Sequence, residues 1–393
     1  MITIDKKEMC CGCTACYSIC ARNAISMQPD GEGFLYPVIS SELCVDCKLC
    51  EKICPMYHEV NSGTDKRVSY VIRAKDKQTV KESTSGGFVT PFAHWVLNHG
   101  GVICGAVFDD RYQVIHQFIS CDNDVKKLRG SKYVQSDLNE CFSKIENFLK
   151  QGKIVAFVGT TCQVYGLKAY LMKDYKKLIT IDLVCHGTPS PKLWDKYLTE
   201  KKLKYNAEIT SVAFRNKTYG YHSGTMRIEF SNGRVYCGSA RVDYMLKSFF
   251  KEISSRPSCY QCKFKTLERC SDFTIYDCWH ASELVEGLVD DDKGYTNVIV
   301  QSDKGNQIMD MIKELYELYQ VDTEKAVAKD GIMIRNSAVP HQKRAEYYND
   351  IENNTLKQHI NKYISISYKD RVIESSKKWI YSLGIYQFLK KYK

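Results

Sequence analysis

Short apolar runs alternate with longer amphipathic segments over most of the chain. Residues 68–74 and 102–108 are nearly continuous apolar runs, and their length predicts buried strands. Residues 153–158 and 178–184 are two further runs, each followed by a segment with helical period. Strands that alternate with helices in this way predict an α/β layer built on a mixed sheet.

Further elements follow from the same periodicities. The predicted helices cover 88–97, 137–150, 164–172, 191–203 and 306–319. The other predicted strands cover 115–120, 209–214, 225–230, 234–237 and 297–301. Residues 342–393 are aromatic and basic with a helical pattern, so they predict a helical C-terminal tail.

The first sixty residues have a different pattern. Two Cys-rich runs, 10–20 and 44–54, flank a stretch at 24–34 that predicts a short hairpin. Residues 59–66 are small and polar, which predicts a linker. We therefore expect a head at residues 1–60, a central part at 67–345 and a basic helical tail at 346–393.

The two Cys-rich runs carry the most specific motif of the chain. Each contains C-x2-C-x2-C-x3-C, in which three thiolates of one loop and a fourth from the other run bind a [4Fe–4S] cluster. One cluster would take Cys10, Cys13, Cys16 and Cys54, and the second would take Cys44, Cys47, Cys50 and Cys20. The segment resembles bacterial two-cluster ferredoxins throughout. It departs from them at Ala21, where proline is usual, and at Cys11, an extra thiol beside a ligand.

Composition agrees with a metal-binding head. The chain has 393 residues and 19 Cys, and zinc sites or disulfide frameworks seldom concentrate Cys in two matched quartets. Thiolate ligands require a reducing compartment, so we expect a cytoplasmic protein. Residues 1–7 lack the layout of a signal peptide. The sequence has no apolar run of about 18 residues, so it predicts no transmembrane segment.

Charge is unevenly distributed along the chain. The formal net charge is +10, yet residues 1–60 carry five Lys/Arg against eight Asp/Glu and residues 362–393 carry eight against two. The basic end could contact an acidic partner or an anionic membrane surface, although a solvated surface helix is the more ordinary interpretation. The Cys-rich segment is acidic, so a basic, zinc-dependent nucleic-acid-binding protein does not fit.

A second group of Cys lies in the central part. Cys162 and Cys185 each follow a predicted strand, and residues 259–262 form a C-x2-C after a proline. Ligands gather at strand ends in α/β sheets, so four thiolates there could hold a third [4Fe–4S] cluster. These four are Cys162, Cys185, Cys259 and Cys262. Spacing alone also allows zinc, and Cys270 and Cys278 are rivals for the ligand positions.

Five motifs in a fixed order are similar to a known family. They are Ser83-x-Ser85-Gly86-Gly87-Phe88, the stretch GSKYVQS at 130–136, GTTCQ at 159–163 with GLK at 166–168, DLVCHGTPS at 182–190, and CYQC at 259–262. This set resembles the coenzyme F420 hydrogenase/dehydrogenase beta-subunit family over residues 68 to about 345. Thr161 stands where proline is usual, and Cys278 stands where phenylalanine is usual.

The resemblance implies FAD, a [4Fe–4S] cluster near the flavin, and electron transfer between iron–sulfur carriers and a diffusible two-electron partner. Relatives act on F420, take part in chlorophyll reduction or are linked to polysaccharide biosynthesis, so the substrate is not specified. We expect an iron–sulfur flavoprotein oxidoreductase with three [4Fe–4S] clusters, FAD and a ferredoxin-like donor. The alternative is an electron-relay subunit without its own substrate, docked to a partner enzyme. The expected fold is a ferredoxin-type head joined to a mixed-sheet α/β domain and a helical tail.

Flavin binding needs its own residues, because the chain has neither G-x-G-x-x-G nor a P-loop. The segment Ser83-x-Ser85-Gly86-Gly87-Phe88 precedes a predicted helix, whose N-terminus suits the FAD pyrophosphate. A simple serine N-cap would give the same pattern. Further candidate contacts to FAD are Ser131, Lys132, Tyr133, Thr160 and Gln163. Lys132 could add positive charge, and Tyr133 could cover the ring.

Three residues are candidates for catalysis. His186 follows Cys185 and could be a proton donor or orient a ligand. Arg215 and Lys217 could bind an acidic substrate. A purely structural role is the alternative for each of them.

Overall fold

The computed structural model describes residues 2–58, 67–383 and 385. The predicted linker at 59–66 and the last part of the predicted tail, 386–393, lie outside these residues. The strands of the described part are β1 (Ile25–Pro29), β2 (Leu35–Ile39), β3 (Val68–Ala74), β4 (Val102–Phe108), β5 (Val114–Ile119), β6 (Val155–Thr160), β7 (Leu178–Leu183), β8 (Ile209–Asn216), β9 (Thr225–Phe230), β10 (Val235–Ser239), β11 (Phe273–Cys278), β12 (Tyr295–Val300) and β13 (Tyr316–Val321).

The helices connect these strands and follow them at the C-terminal end. They are α1 (Ala15–Ile19), α2 (Leu49–Lys52), α3 (Lys77–Glu82), α4 (Val89–Asn98), α5 (Cys141–Lys150), α6 (Thr161–Leu171), α7 (Pro191–Tyr205), α8 (Tyr244–Phe250), α9 (Ala281–Leu284), α10 (Asp303–Ile312), α11 (Thr323–Asp330), α12 (Ile332–Arg335), α13 (Arg344–Tyr347), α14 (Leu356–Ile364) and α15 (Tyr368–Ser382). No described helix is both long and apolar enough to cross a membrane.

An eight-stranded mixed sheet forms the centre of the molecule, with strand order β13-β3-β12-β11-β7-β6-β4-β5. The middle strands β11, β7, β6 and β4 run parallel to one another, and the flanking strands are antiparallel. The strand residues Val155 and Phe157 are fully buried, as expected for parallel strands covered on both faces. The predicted α/β layer with a mixed sheet is confirmed.

One predicted element is wrong. The helical pattern at 306–319 ends early, because α10 stops at Ile312 and residues 316–321 form the edge strand β13 against β3. Tyr316 is buried and its hydroxyl donates to the carbonyl of Phe88 at 2.8 Å. A short edge strand that directly follows a helix cannot be told from the end of that helix by periodicity alone.

A second, three-stranded antiparallel sheet has the order β10-β9-β8. It shares a core with α7 and α14, in which Trp194, Phe214, Tyr347 and Ile360 are buried together with Phe34 from the head. The first part of the predicted tail therefore contributes to the main core, and the head hairpin reaches it as well.

The head contains the predicted hairpin, β1 and β2, paired antiparallel from Ile25 opposite Ile39. Its turn is fixed to the far end of the chain by Glu32, whose two carboxylate oxygens accept from Arg344 at 3.0 and 2.7 Å. Such a bidentate pair is directional as well as strong. The carbonyl of Gly31 also accepts from Lys192 Nζ at 3.0 Å.

Candidate functional site

The two ligand loops of the head have the same backbone conformation. The first has left-handed φ values at Gly12 (71°) and Thr14 (62°), and the second has them at Asp46 (49°) and Lys48 (58°). A short helix, α1 or α2, starts directly after each loop. The repeated Cys motif is therefore matched by repeated geometry.

The first quartet of the head lies inside the protein. Cys10, Cys13, Cys16 and Cys54 are each at most 9% exposed. Burial raises the pKa of the Cys16 thiol, and the neighbouring Cys10 and Cys54 raise it further. The predicted ligands of one cluster thus lie close to one another.

The second quartet lies at the surface. Cys47 is exposed, and Cys20, Cys44 and Cys50 are half-buried. The Cys20 sulfur accepts a hydrogen bond from the Ala24 backbone at 3.3 Å. A cluster held by this set would be the one nearest to a docking protein.

The four Cys of the central part also lie together. Burial raises the pKa of Cys185, and Cys259, Cys162 and Cys262 each raise it further. The pKa of Cys262 is raised to about 12 by burial first and then by Cys162 and Cys259. Their positions follow from the sheet, since β6 and β7 end just before Cys162 and Cys185.

The rival Cys make different electrostatic contacts. Cys270 packs in the same cluster as Cys162 and Cys262, but burial raises its pKa to about 12 and the charges that modify it are Lys168, Asp182 and Asp272. Cys278 ends β11 and is buried among Val71 and Tyr295, and Asp330 adds to the effect of burial on its pKa. The geometry therefore favours Cys162, Cys185, Cys259 and Cys262 as the third quartet.

The thiol sets suit clusters better than single ions. Within residues 2–58 and 67–383, no three His, Cys, Asp or Glu side chains converge on a point that one metal ion could fill. Each iron of a cube takes its own thiolate, so a cluster does not need four sulfurs that converge on one point. Crowding raises the pKa of these thiols, and bound metal offsets that effect because it holds the thiolate form.

Cys11 lies between the first and the third quartets. Its thiol is in hydrogen-bonding contact with Cys13 and with Cys162, and the contact with Cys13 is the main cause of its raised pKa. Gly166 of α6 packs directly on the same loop, because a Cβ there would lie 2.9 Å from Cys13 Sγ. Head and central part therefore meet at the thiols themselves.

Arg256 is a buried cation at the same junction, and sequence reasoning did not identify it. Its Nε donates to the Cys10 carbonyl at 2.8 Å, its Nη1 donates to the Leu35 carbonyl at 3.0 Å, and its guanidinium lies 3.9 Å from the Tyr36 ring centroid. The residue is 1% exposed and its Nη2 has no hydrogen-bond partner. The one signal in the sequence is its position three residues before Cys259.

A cavity of about 1330 Å³ adjoins the third quartet. Its wall includes Cys11, Cys162 and Cys185 together with the loops at 83–90 and 128–136. Pockets for drug-sized ligands are about 300–1,000 Å³, so this cavity has room for a dinucleotide and a second molecule.

Most of the predicted flavin contacts lie on the cavity wall. They are Ser83, Ser85, Gly87, Phe88, Ser131, Lys132, Tyr133, Thr160 and Gln163. The alternative of a serine cap is not what the structure shows, because the N-cap of α4 is Phe88 and no side chain caps it. The N-terminus of α4 therefore keeps backbone donors for an anion.

Gly86 has a packing role instead. It is absent from the described cavity wall, and its N–H donates to Thr296 Oγ1 at 2.9 Å. A Cβ at this position would lie 2.4 Å from the Ile72 carbonyl oxygen. Glycine is required here for the close approach of two backbones, and its N–H is not offered to a phosphate.

Two basic residues of the loop at 128–136 line the cavity. Lys132 Nζ donates to the carbonyls of Arg129 and Gly130 at 3.1 and 3.2 Å, and burial lowers the pKa of Lys132 to about 7. Arg129 Nε donates to Thr90 Oγ1 in the first turn of α4 at 3.2 Å, and its Nη1 forms an ion pair with Glu82. An anion bound at this wall would meet the Lys132 amine and the Arg129 guanidinium, whose charge Glu82 partly offsets.

Thr160 and Gln163 also line the cavity, but their polar groups serve α6. The Thr160 N–H donates to Gln163 Oε1 at 2.8 Å in a capping box. Gln163 Nε2 donates to Ser136 Oγ at 3.0 Å. These bonds fix the first turn of α6, which carries Cys162.

The catalytic candidates differ in position. His186 lines the cavity, and its Nε2 is hydrogen-bonded to the Glu252 carboxylate. Arg215 also lines it, pairs with Asp277, lies 4.6 Å from the Trp279 ring centroid, and has an Nη2 atom without a partner. An acidic ligand could be bound by this guanidinium.

Lys217 is a structural residue. Its Nζ donates to the carbonyls of Val80, Ser85 and Lys293 at 2.6, 2.7 and 2.6 Å, which uses all three ammonium donors. It is not among the described residues that line the cavity. It fixes the Ser85 loop and does not meet a substrate.

Comparisons with known proteins agree with these features. Residues 152–325 match the family model for the C-terminal part of the coenzyme F420 hydrogenase/dehydrogenase beta subunit, and residues 9–57 match the 4Fe-4S dicluster domain. A solved structure of the F420-reducing [NiFe] hydrogenase complex from Methanosarcina barkeri includes a chain that is 18% identical, with a TM-score of 0.42, over 79% of this chain and 95% of that one. The search of curated proteins found no match. Residues 152–325 therefore carry the C-terminal domain of the coenzyme F420 hydrogenase/dehydrogenase beta subunit, and residues 9–57 carry a 4Fe-4S dicluster domain.

Proposed function

We propose that this iron–sulfur protein is an FAD-dependent oxidoreductase that moves electrons between a ferredoxin-like donor and a diffusible two-electron substrate. The observation that carries the proposal is the shared cavity wall. The same cavity is bordered by Cys162 and Cys185 and by the predicted flavin contacts around Ser85 and Lys132. Clusters supply single electrons and a flavin stores one or two.

The three thiol quartets form a series from the surface to the cavity. The exposed set includes Cys47, the buried set includes Cys13, and the set at the cavity includes Cys162. Cys11 and Arg256 fill the junction between the buried set and the set at the cavity. This order suits a protein donor at the head and a small substrate at the cavity.

The chain's own residues would hold the flavin by its phosphates. The N-terminus of α4 offers backbone donors, Arg129 lies at its first turn, and Lys132 adds positive charge elsewhere on the same cavity wall. His186, held by Glu252, can carry a proton at the cavity. A relay subunit without its own substrate would have no need of such a cavity.

The test is anaerobic purification followed by iron, sulfide and flavin analysis and a visible spectrum. Three quartets predict about twelve irons per chain, with one FAD. Lys132→Met should lose most of the flavin while the iron content is unchanged. Lys126→Met, an exposed lysine of the same segment, is the matched control and should retain both.

Three outcomes would contradict the proposal. Full iron content without flavin, before and after addition of FAD, would favour the electron-relay subunit. About eight irons with normal flavin would remove the third cluster. Zinc in place of iron would reject the cluster interpretation altogether.

A further inference from the structure

Helix α15 covers one side of the cavity with a face on which charged and polar residues outnumber apolar ones. The residues of this helix that line the cavity are Asp370, Ile373, Glu374, Ser376, Lys377 and Ile380. On the opposite side Tyr368 is 82% exposed and Trp379 is 65% exposed. A helix that packs on a core turns an apolar stripe inward, so this inward face is suited to a polar ligand.

The helix is fixed in this position. Glu374 is buried and its carboxylate accepts from the Ser239 N–H at 2.9 Å and from Ser239 Oγ at 2.6 Å. Lys378 Nζ donates to the Cys237 carbonyl at 2.8 Å. These three bonds hold α15 against β10, so its cavity-facing residues have a defined place.

A buried lysine faces α15 across this part of the cavity. The Lys247 side chain is 7% exposed and lines the cavity, and its Nζ donates to the Arg241 carbonyl at 3.3 Å. The carboxylate of Asp370 lies 3.7 Å away, but it also accepts from Ser367 Oγ at 2.8 Å as a helix cap. An ammonium has three donors, and the described bonds leave capacity for another acceptor.

More positive charge surrounds Lys247. Lys377, Lys251 and Arg241 are on the same wall. Lys377 Nζ lies 5.0 Å from the Tyr219 ring centroid, and no described carboxylate forms an ion pair with it. Against these four cations, the wall next to α15 has two carboxylates. Glu374 accepts from Ser239 Oγ, and Asp370 lies 3.8 Å from Arg241 and 3.7 Å from Lys247. We call this part of the cavity, between α15 and Lys247, the arm. It therefore has a surplus of cations.

We infer that this arm of the cavity binds an anionic group of the two-electron substrate, such as a phosphate or a carboxylate. Lysines act as point charges toward these groups, and partial burial strengthens the attraction. The assignment of the anion to the substrate rests on the proposed function. The anion site itself does not depend on bound flavin.

Calorimetric titration with inorganic pyrophosphate tests the site. The anaerobically purified full-length protein is saturated with FAD first, so that the anion site near Lys132 is filled. Pyrophosphate should then bind, and Lys247→Met and Lys377→Met should each weaken binding by about tenfold. Lys369→Met is the matched control, since Lys369 is exposed on the same helix and should have no effect.

The outcomes separate this inference from the proposed function. Equal affinity in the wild type, Lys247→Met and Lys377→Met, or no binding at low salt, would overturn the anion arm. Binding that is lost only in Lys132→Met would place the anion at the other site and would also overturn it. If the protein contains no flavin and still binds pyrophosphate through Lys377, the proposal of a bound flavin is wrong and the inference of an anion arm stands. Because Lys377 is only half-buried, its variant should fold even if Lys247→Met does not.

Discussion

The two ligand loops of the head have one motif and one backbone conformation in opposite surroundings. Gly12 of the first loop faces the central part, where a Cβ would lie 2.5 Å from Gln135 Nε2 and 3.1 Å from Arg256 Nη1. Asp46 has the same place in the second loop and is exposed. The motif and the backbone conformation allow each loop to bind a cluster. The surroundings decide whether that cluster would face the central part or the solvent.

The largest expected effect comes from exchanging these two residues. Gly12→Asp would push a side chain into Gln135 and bury a charge, so we expect a loss of at least ~3 kcal/mol in the free energy of unfolding. Asp46→Gly should change it by less than about 1 kcal/mol. Chemical unfolding and iron content of both variants measure the difference. Equal changes in the free energy of unfolding would mean that the first loop is no more tightly packed than the second.

A smaller loss is expected at the contact between α6 and the first loop. Gly166→Ala would place a Cβ 2.9 Å from Cys13 Sγ, which should cost about 1–3 kcal/mol. Alanine is the better helix former by about 1 kcal/mol, so a stabilised variant would show that the loop can move away. Thermal unfolding with iron analysis distinguishes the two results.

Arg256 should raise the reduction potential of the buried cluster of the head and leave that of the exposed cluster unchanged. Its guanidinium lies against the first loop, at the Cys10 carbonyl, and a nearby cation favours the more negative, reduced cluster. Arg256→Met should lower the potential of the buried cluster by roughly 60 mV, equivalent to about 1.4 kcal/mol for one electron. Redox titration monitored by electron paramagnetic resonance measures the shift. The exposed cluster should not change, and Arg256→Lys should restore most of the shift.

The smallest effect on stability is expected in the exposed loop. Val45 is 61% exposed beside Cys47, so Val45→Ser should change the free energy of unfolding by less than about 0.5 kcal/mol. If a donor protein docks at this loop, the rate of reduction by a ferredoxin should fall while reduction by dithionite is unchanged. Equal rates for wild type and variant would place the entry of electrons elsewhere.

Features that depend on neighbouring residues could be predicted from the sequence. The Cys spacing of the head and the strands that end before Cys162 and Cys185 are local patterns. Arg256 could not be found in this way, because its partner Cys10 is 246 residues away in the chain. The helical period of α15 is visible in the sequence, but the cavity that receives its charged face exists only after the sheets have packed. The local pattern around Gly86 favours an anion site, although backbone packing accounts for this glycine.

The ion pair between Glu32 and Arg344 joins positions 312 residues apart. Ribosomes add about 5–20 residues per second, so roughly 15 to 60 s separate the synthesis of the two partners. During that interval the hairpin turn has no guanidinium to hold it, and Gln135 and Arg256 reach the first ligand loop only as later segments emerge. Iron and sulfide delivered before release of the chain would meet an open loop, accessible to assembly factors and to oxygen alike. Synthesis past Arg256 is then the event that covers the first ligand loop.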